Sequence, residues 1–272
     1  MSKGKRVLIR GGGDLASGVA LRLYRAGIRV LITELPKPLA VRRAVSFAEA
    51  VFEGTCEVEG VRANLIGADQ LSMWDDDDVI PVLIDPNLDI LSAFGFSVVV
   101  DARLLKQPPS PLPKQIPLHI GLGPGFRAGS NCHAVIETRR SHTLGRVIWK
   151  GASQPDSRQP EGDPRRVLRA PSSGIMVAHT DIGEHLQQGQ LIAEIQSEVD
   201  NLKSKIESPF EGVLRGLIHD GMHVSMGLKI GDVDPRDDEA ACYLVSDKAL
   251  AIGGGVLEAI LSKAEIREQL YE

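Results

Sequence analysis

Three glycines near the start of the chain have the spacing of a phosphate-binding turn. Gly11, Gly12 and Gly13 permit a tight turn because no Cβ stands in the way. Together with Ala16 they give Gly-x-Gly-x-x-Ala, the relaxed form of the dinucleotide fingerprint. The free N–H groups at the start of a following helix would add an anion site. The residues therefore predict a nucleotide-binding loop, with a glycine turn that binds nothing as the alternative.

Four charged residues accompany this loop. Glu34 closes the second apolar run, where a carboxylate would accept hydrogen bonds from a ribose. Asp14 opposes phosphate unless it caps the helix, which is the role we expect for it. Arg42 and Arg43 follow the second strand and would hold a phosphate or another anion, or else begin a solvated helix.

The flanking pattern predicts a strand, a helix and a second strand. Val7 to Ile9 form a buried apolar run, Leu15 opens an amphipathic stretch, and Ile28 to Ile32 form the next run. A right-handed crossover makes the two strands parallel neighbours. Later apolar runs end in Asp85 and Asp101, at the strand ends where open parallel sheets bind ligands. We expect Asp85 to cap a turn and Asp101 to be the better site candidate, also as a weak candidate for catalysis.

A second glycine-rich element follows a proline-rich boundary. Gly121, Gly123 and Gly125 precede Arg127 and lie between two predicted strands. It is not a Walker loop, because the terminal Lys-Ser/Thr is absent. The glycines and the cation would wrap an anionic group through backbone N–H donors, or form a crossing loop that needs positive φ.

The cysteines and histidines give weaker signals. Three cysteines, odd in number and far apart, do not indicate a disulfide framework. Cys132 and Cys242 are weak candidates for a nucleophile, although burial as a small hydrophobe is the usual role. His133, Glu137 and His142 match no standard metal spacing, so no metal site is predicted.

An internal repeat marks the C-terminal half as β-rich. Two strand–turn–strand copies at one offset would bury a single core between them. The recurring residues are Pro171, Gly174, Gly183, His185 and Gly189 in the first copy, which correspond to Pro209, Gly212, Gly221, His223 and Gly227 in the second. This repeat resembles the biotinyl/lipoyl carrier domain, a barrel-sandwich hybrid, over Val167 to Val233. The position of the carrier lysine falls on Asn201, so the resemblance implies the fold without the carried group.

Near the end of the chain, Gly253, Gly254 and Gly255 interrupt a helical stretch that Ser246 or Asp247 would cap. Glycine costs about 1 kcal/mol relative to alanine in a helix. The run therefore predicts close backbone packing or a ligand, and we favour packing.

Composition excludes some classes of protein. The chain has 272 residues, 43% of them hydrophobic, and a net charge of −5, which gives no pull toward nucleic acid. No apolar run approaches the length of a membrane span, and the start lacks a signal-peptide core. A cytoplasmic protein with no membrane partner is expected, and a homo-oligomer is left open.

Several stretches together resemble one family, the YqeB-type accessory proteins of selenium-dependent molybdenum hydroxylase systems. The stretches begin at Arg10, Arg42, Val99, Gly121, His133, Lys229 and Ser246. The first half is also similar to the Rossmann half of XdhC/CoxI-type factors. The resemblance implies an accessory or maturation protein, partnered by a molybdenum hydroxylase or its maturation factors, that binds a nucleotide or a molybdopterin-type cofactor.

In that role, the loop Gly11 to Gly13 would take a pyrophosphate, Glu34 a ribose, and Arg42, Arg43 or Arg127 the other anionic groups. One alternative is an NAD(P)-dependent oxidoreductase of unknown substrate, although no catalytic acid or base stands out. The other is a non-catalytic assembly scaffold.

The expected fold is α/β plus β. Residues 1–106 would form a Rossmann-like parallel sheet with helices, and residues 107–165 a glycine- and arginine-rich β segment. Residues 166–235 would form a barrel-sandwich hybrid, and residues 236–272 a C-terminal helical segment.

Overall fold

The computed structural model describes residues 6–71, 74, 78–156, 162–198, 202–236 and 238–271. The chain forms two compact units. Unit 1 comprises Met1–Pro38, Ser46–Asp156 and Val245–Glu272, and unit 2 comprises Leu39–Val45 and Ser157–Leu244. The four-segment division drawn from composition stays a prediction. Among the described helices, none has both the length and the hydrophobicity needed to cross a bilayer.

Unit 1 is built on a sheet that contains nine strands within the described residues. The strands of unit 1 are β1 (Val7–Arg10), β2 (Val30–Glu34), β3 (Thr55–Val58), β4 (Val61–Leu65), β5 (Val79–Ile84), β6 (Val98–Asp101), β7 (Leu118–Leu122), β8 (Arg127–Ala128), β9 (Ala134–Ile136), β10 (Val147–Ile148) and β11 (Gly151–Ala152). The order in the large sheet is β10-β9-β7-β6-β1-β2-β5-β4-β3, and β8 pairs with β11 in a separate ribbon.

The large sheet is mixed. Its centre is parallel, with β1 between β2 and β6, whereas the pairs β3–β4 and β9–β10 at the two ends are antiparallel. The helices of the chain are α1 (Asp14–Arg25), α2 (Ala50–Glu53), α3 (Ile90–Ala93), α4 (Ala240–Tyr243), α5 (Asp247–Leu261) and α6 (Ala264–Tyr271).

The predicted Rossmann-like domain is wrong. A doubly wound fold uses a helix for each parallel crossover. Among the described connections between the sheet strands, only α1 is a helix of more than four residues. The sheet also continues past residue 106 through β7, β9 and β10. The sequence contains one genuine strand–helix–strand unit, and the prediction extended that unit to a whole domain.

The glycines of α5 pack closely against two neighbours within unit 1. A Cβ on Gly253 would lie 2.7 Å from the carbonyl oxygen of Gly18 in α1, and a Cβ on Gly255 would overlap the carbonyl oxygen of Gly145. At Gly254 no described atom comes within 4 Å. The predicted packing role is therefore confirmed for Gly253 and Gly255. Ser246 caps α5 by accepting from the N–H of Ala249 at 3.2 Å, as expected.

Unit 2 consists of two antiparallel sheets, each with four strands among the described residues. Its strands are β12 (Val167–Arg169), β13 (Gly174–Ala178), β14 (His185–Leu186), β15 (Leu191–Gln196), β16 (Lys203–Glu207), β17 (Gly212–Leu217), β18 (His223–Val224) and β19 (Lys229–Asp234). The orders are β12-β19-β17-β14 and β16-β15-β13-β18, so each sheet takes two strands from each copy of the repeat.

The predicted succession of a Rossmann-like domain and a barrel-sandwich hybrid is wrong for this chain. Unit 2 also takes in Leu39–Val45, and the chain returns to unit 1 at Val245. Local patterns identified the β repeat, but they carry no information on which distant segments join a unit. Asn201, the expected carrier position, lies outside the described residues.

Candidate functional site

The glycine loop of unit 1 lies at the carboxyl edge of the parallel strands. Gly11 has φ +96, and its N–H donates to the carbonyl oxygen of Thr33 at 2.8 Å. The N–H of Gly12 donates to Oε2 of Glu34 at 2.6 Å, and its carbonyl oxygen accepts from the N–H of Ala48 at 2.9 Å. The loop is therefore fixed on both sides by backbone and carboxylate contacts.

Gly13 opens the helix and leaves space beside it. It is the N-cap of α1, with φ −66, and no described side chain caps the helix. A Cβ on Gly13 would meet no described atom within 4 Å, whereas one on Gly12 would lie 2.9 Å from the backbone nitrogen of Ala48. The expected capping role of Asp14 is wrong, because Asp14 is already the first helical residue.

Glu34 closes the loop from the second strand. Besides the bond from Gly12, its Oε1 accepts from the N–H of Leu35 at 2.7 Å. Burial raises the pKa of the Glu34 carboxyl above its usual value, and the two backbone hydrogen bonds partly offset this. Both carboxylate oxygens are thus engaged by backbone groups. Its predicted contact with a ribose is untested.

Asp101 lies between two arginines at the same edge. Arg103 donates to it from Nε at 2.8 Å and from Nη2 at 2.6 Å, and Nη1 of Arg10 lies 3.7 Å from Oδ2. The Asp101 side chain is only 1% exposed. Burial lowers the pKa of Arg10, and the charge of Arg103 lowers it further. One buried carboxylate therefore interacts with two guanidiniums.

Arg103 also reaches the glycine loop, since a Cβ on Gly11 would lie 3.6 Å from its Cγ. Gly13, the N-terminus of α1 and Arg103 together form what we call the edge site. Asp85 does not belong to it. As expected, Asp85 caps a turn, accepting from the N–H groups of Asp89 at 2.9 Å and Ile90 at 3.0 Å.

The second glycine-rich element is packed against its own surroundings. A Cβ on Gly121 would overlap the Phe126 ring, and one on Gly125 would lie 2.5 Å from the carbonyl oxygen of Leu105. Gly123 has φ +91, which fits the alternative of a crossing loop. Arg127 is exposed. Anion binding by these residues stays a prediction.

Arg42 and Arg43 belong to unit 2. Arg42 donates to the carbonyl oxygens of Ala241 at 2.9 Å and Leu244 at 3.0 Å, and Arg43 donates from Nε to that of Leu217 at 3.1 Å. These guanidiniums hold together backbone segments of unit 2 that are 174 to 202 residues apart in the sequence. Their predicted contact with a bound anion is untested.

The two candidate cysteines are buried thiols. Burial raises the pKa of Cys132 to about 11 and also raises the pKa of Cys242. Cys242 donates to the carbonyl oxygen of Leu214 at 3.8 Å. Since the thiolate is the nucleophile, a protonated thiol at neutral pH does not favour the predicted chemistry.

His119 is a buried titratable group that the sequence analysis did not single out. It lies in β7, its ring stands edge-on to Phe126 at 5.9 Å, and its backbone N–H donates to Nδ1 of His133 at 2.8 Å. Its Nε2 is buried and has no hydrogen-bond partner among the described residues. Burial lowers its pKa to about 4, although Asp101 opposes the shift. Its place in the strand predicted just before the second glycine-rich element was the available signal.

Acidification should destabilise unit 1 through His119. The folded protein keeps this ring neutral, while the unfolded chain protonates it near pH 6.5, so stability falls as the pH drops from about 6.5 to about 4. The full loss is about 3 kcal/mol. Urea unfolding at a series of pH values should show a shallower slope in His119→Leu. The exposed His142→Leu is the control, and an unchanged slope in His119→Leu would contradict the assignment.

Comparison with known proteins gives one curated relative and several solved structures. No protein-family model matches the chain. The chain is 46% identical over 260 residues to "Uncharacterized protein YqeB" of Escherichia coli (strain K12), covering 94% of this chain and 47% of that protein. The chain thus spans about half the length of this relative.

Two solved structures illustrate the structural likenesses. An aspartoacylase family protein from Mesorhizobium loti is 13% identical, with a TM-score of 0.30 and coverage of 85% of each chain. A succinylglutamate desuccinylase from Silicibacter sp. TM1040 is 15% identical, with a TM-score of 0.26, covering 86% of this chain and 85% of that chain. Likenesses at this level assign no activity to the chain.

The expected role in a selenium-dependent molybdenum hydroxylase system is wrong. The name of the curated relative states no function, and no protein-family model, of an XdhC-type factor or any other, matches the chain. The Rossmann-based alternatives, a nucleotide-binding accessory protein and an NAD(P)-dependent oxidoreductase, do not fit the mixed sheet either. The scaffold alternative has no support in these comparisons.

Proposed function

We propose that unit 1 binds a small anionic ligand, bearing a phosphate or a carboxylate group, at the edge site. One observation carries the proposal. The N-terminus of a twelve-residue helix has no described side-chain cap, and Arg103, whose partner Asp101 also faces Arg10, approaches the loop before it at Gly11.

The helix contributes a partial positive charge. The first N–H groups of an α-helix have no intrahelical acceptor, and the aligned peptide dipoles place roughly half a positive charge at that end. Gly13 leaves these groups accessible, because no side chain projects from it. An anion is the ligand that such a helix end favours.

The arginines contribute the specificity. Arg10 and Arg103 share the buried carboxylate of Asp101, and the charge of Asp85 also acts on Arg10. The Arg103 side chain is 30% exposed, so it can turn a donor toward a ligand while it still holds Asp101. A planar guanidinium matches the two oxygens of a carboxylate or phosphate.

The test places a charge in the site without disturbing the fold. In Gly13→Asp the new carboxylate enters the proposed anion position, and Gly13→Asn provides a neutral side chain of the same shape that caps the helix equally. Two like charges about 5 Å apart repel by roughly 3 kcal/mol at an effective dielectric constant near 20. Calorimetric titration with inorganic phosphate and with acetate should therefore show at least tenfold weaker binding to Gly13→Asp than to Gly13→Asn.

The two probes separate the two ligand chemistries, since a phosphate site and a carboxylate site rank them in opposite order. Both variants should melt no lower than the original protein, because each adds a helix cap. Equal affinity of the aspartate and asparagine variants, or no binding by the original protein, would contradict the proposal.

A further inference from the structure

We infer that Glu34 couples anion binding at the edge site to proton uptake, so that the site gains affinity as the pH falls. This inference rests on the proposed function. Glu34 already fills part of the loop, with Oε2 at 2.6 Å from the nitrogen of Gly12 and Oε1 at 2.7 Å from that of Leu35. An incoming anion would therefore meet a resident carboxylate one residue from Gly13.

The carboxylate is held in position. Moving it away would break two backbone hydrogen bonds and leave the Gly12 N–H without its acceptor, which is costly in a partly buried site. The alternative is to neutralise it. A protonated Glu34 keeps one oxygen to accept from Gly12, and its new O–H becomes a donor that the anion can accept.

Burial favours this protonation, because it raises the pKa of Glu34. The pKa of Glu34 is already raised before any ligand is present. A second negative charge close by raises it further, since a like charge disfavours the ionised form. By linkage, anion binding raises the proton affinity of Glu34, and protonation of Glu34 raises the anion affinity by the same factor.

Other charged groups on the neighbouring elements must be distinguished from Glu34. They are Asp14 on α1, Glu49 one residue after Ala48, Arg10 at the end of β1, Asp85 after β5, Asp101 at the end of β6 and Arg103 two residues later. The arginines remain charged throughout the relevant range. Asp85 accepts hydrogen bonds from two backbone N–H groups, and Asp101 accepts from the Arg103 guanidinium.

Sulfate is the appropriate probe, because it remains a dianion over the pH range of the test. For the original protein, its association constant should rise as the pH falls from about 7 to about 5, by roughly tenfold for each unit by which the bound anion raises the pKa of Glu34. Glu34→Gln keeps an oxygen acceptor for Gly12 but has no proton to gain. Its sulfate affinity at pH 7 should be higher, and its pH dependence should be largely lost.

Glu57→Gln is the matched control, since it removes the same charge from an exposed position on β3 and should keep the original pH dependence. Proton uptake on the original protein gives a second readout that needs no variant. Titrations in two buffers of different ionisation enthalpy should show net proton uptake when sulfate binds.

The outcomes separate the two proposals. Equal pH dependence in Glu34→Gln and in the original protein, or binding without proton uptake, would overturn the role of Glu34 and leave the edge site intact. If sulfate binds none of the three proteins at any pH, the edge site itself is wrong, and the inference about Glu34 is wrong with it.

Discussion

Alanine at Gly255 should destabilise unit 1 by about 2–3 kcal/mol, whereas alanine at its neighbour Gly254 should stabilise it by up to about 1 kcal/mol. Both residues lie inside α5, so both replacements gain the same helix propensity. The difference comes from packing. The new methyl group at Gly255 would overlap the carbonyl oxygen of Gly145 and lie 3.0 Å from Ile136, while at Gly254 no described atom is within 4 Å.

The overlap at Gly255 cannot be relieved by a side-chain rotation, because the group in the way is backbone. Gly145 itself has φ +77 and donates its N–H to the carbonyl oxygen of Glu137 at 2.9 Å, so moving it disturbs a second contact. Denaturant unfolding of the two variants beside the original protein measures the difference directly. Equal stability of the two alanine variants would show that the glycine run does not serve packing.

This result would also show which structural features can be predicted from local sequence patterns. The β1–α1–β2 unit was predictable because its apolar residues follow the periods of strand and helix, and Gly11 to Gly13 give the turn between them. The packing role of the glycines in α5 was predictable for a similar reason. A residue that costs helix stability is retained where a side chain does not fit.

The rest depended on contacts between distant segments. Pairing of β7 with β6, and of β9 with β7, extends the sheet beyond the proline-rich segment that appeared to be a boundary. Arg42 donates to a carbonyl 199 residues away in the sequence. At the edge site, the glycines, Glu34 and Asp101 were identified, whereas the ion pair from Arg10 and the closeness of Arg103 to Gly11 were not. No local pattern encodes such pairs.

Unit 2 contains a network of ion pairs around two buried aspartates, and breaking it should strongly lower the free energy of unfolding. Asp232 accepts from Nε of Arg215 at 2.9 Å and from Nη2 of Arg166 at 3.1 Å. Asp234 accepts from Nε of Arg236 at 3.0 Å, and Nη1 of Arg215 lies 3.1 Å from it. The two aspartates are 2% and 3% exposed. Three guanidiniums thus contact two carboxylates that water scarcely reaches.

Asp232→Ala should therefore destabilise unit 2 by about 3–5 kcal/mol, because Asp234 alone would then face the three guanidiniums, two of which are largely buried. Replacing the arginine as well, in Asp232→Ala with Arg215→Met, should recover part of the loss, since the unpaired charge disappears together with its partner. Denaturant unfolding of the single and double variants measures the coupling. A double variant as unstable as the sum of the two single variants would show that the pair contributes no coupling.

The same network predicts acid sensitivity. Hydrogen bonds from Arg236 hold the pKa of Asp234 well below its usual range, against the effect of burial. A carboxyl whose pKa is depressed in the folded state stabilises the fold above its unfolded value, near 3.9, and loses that contribution as the pH falls through the folded value. Asp234→Asn should therefore lower the free energy of unfolding at neutral pH and flatten its pH dependence below about pH 4. At that pH most of the contribution of His119 to stability has already been lost. The two groups act in adjacent pH windows, so a stability profile measured from pH 7 downward separates them. A curve that stays as steep below pH 4 in Asp234→Asn as in the original protein would place the acid-sensitive group elsewhere.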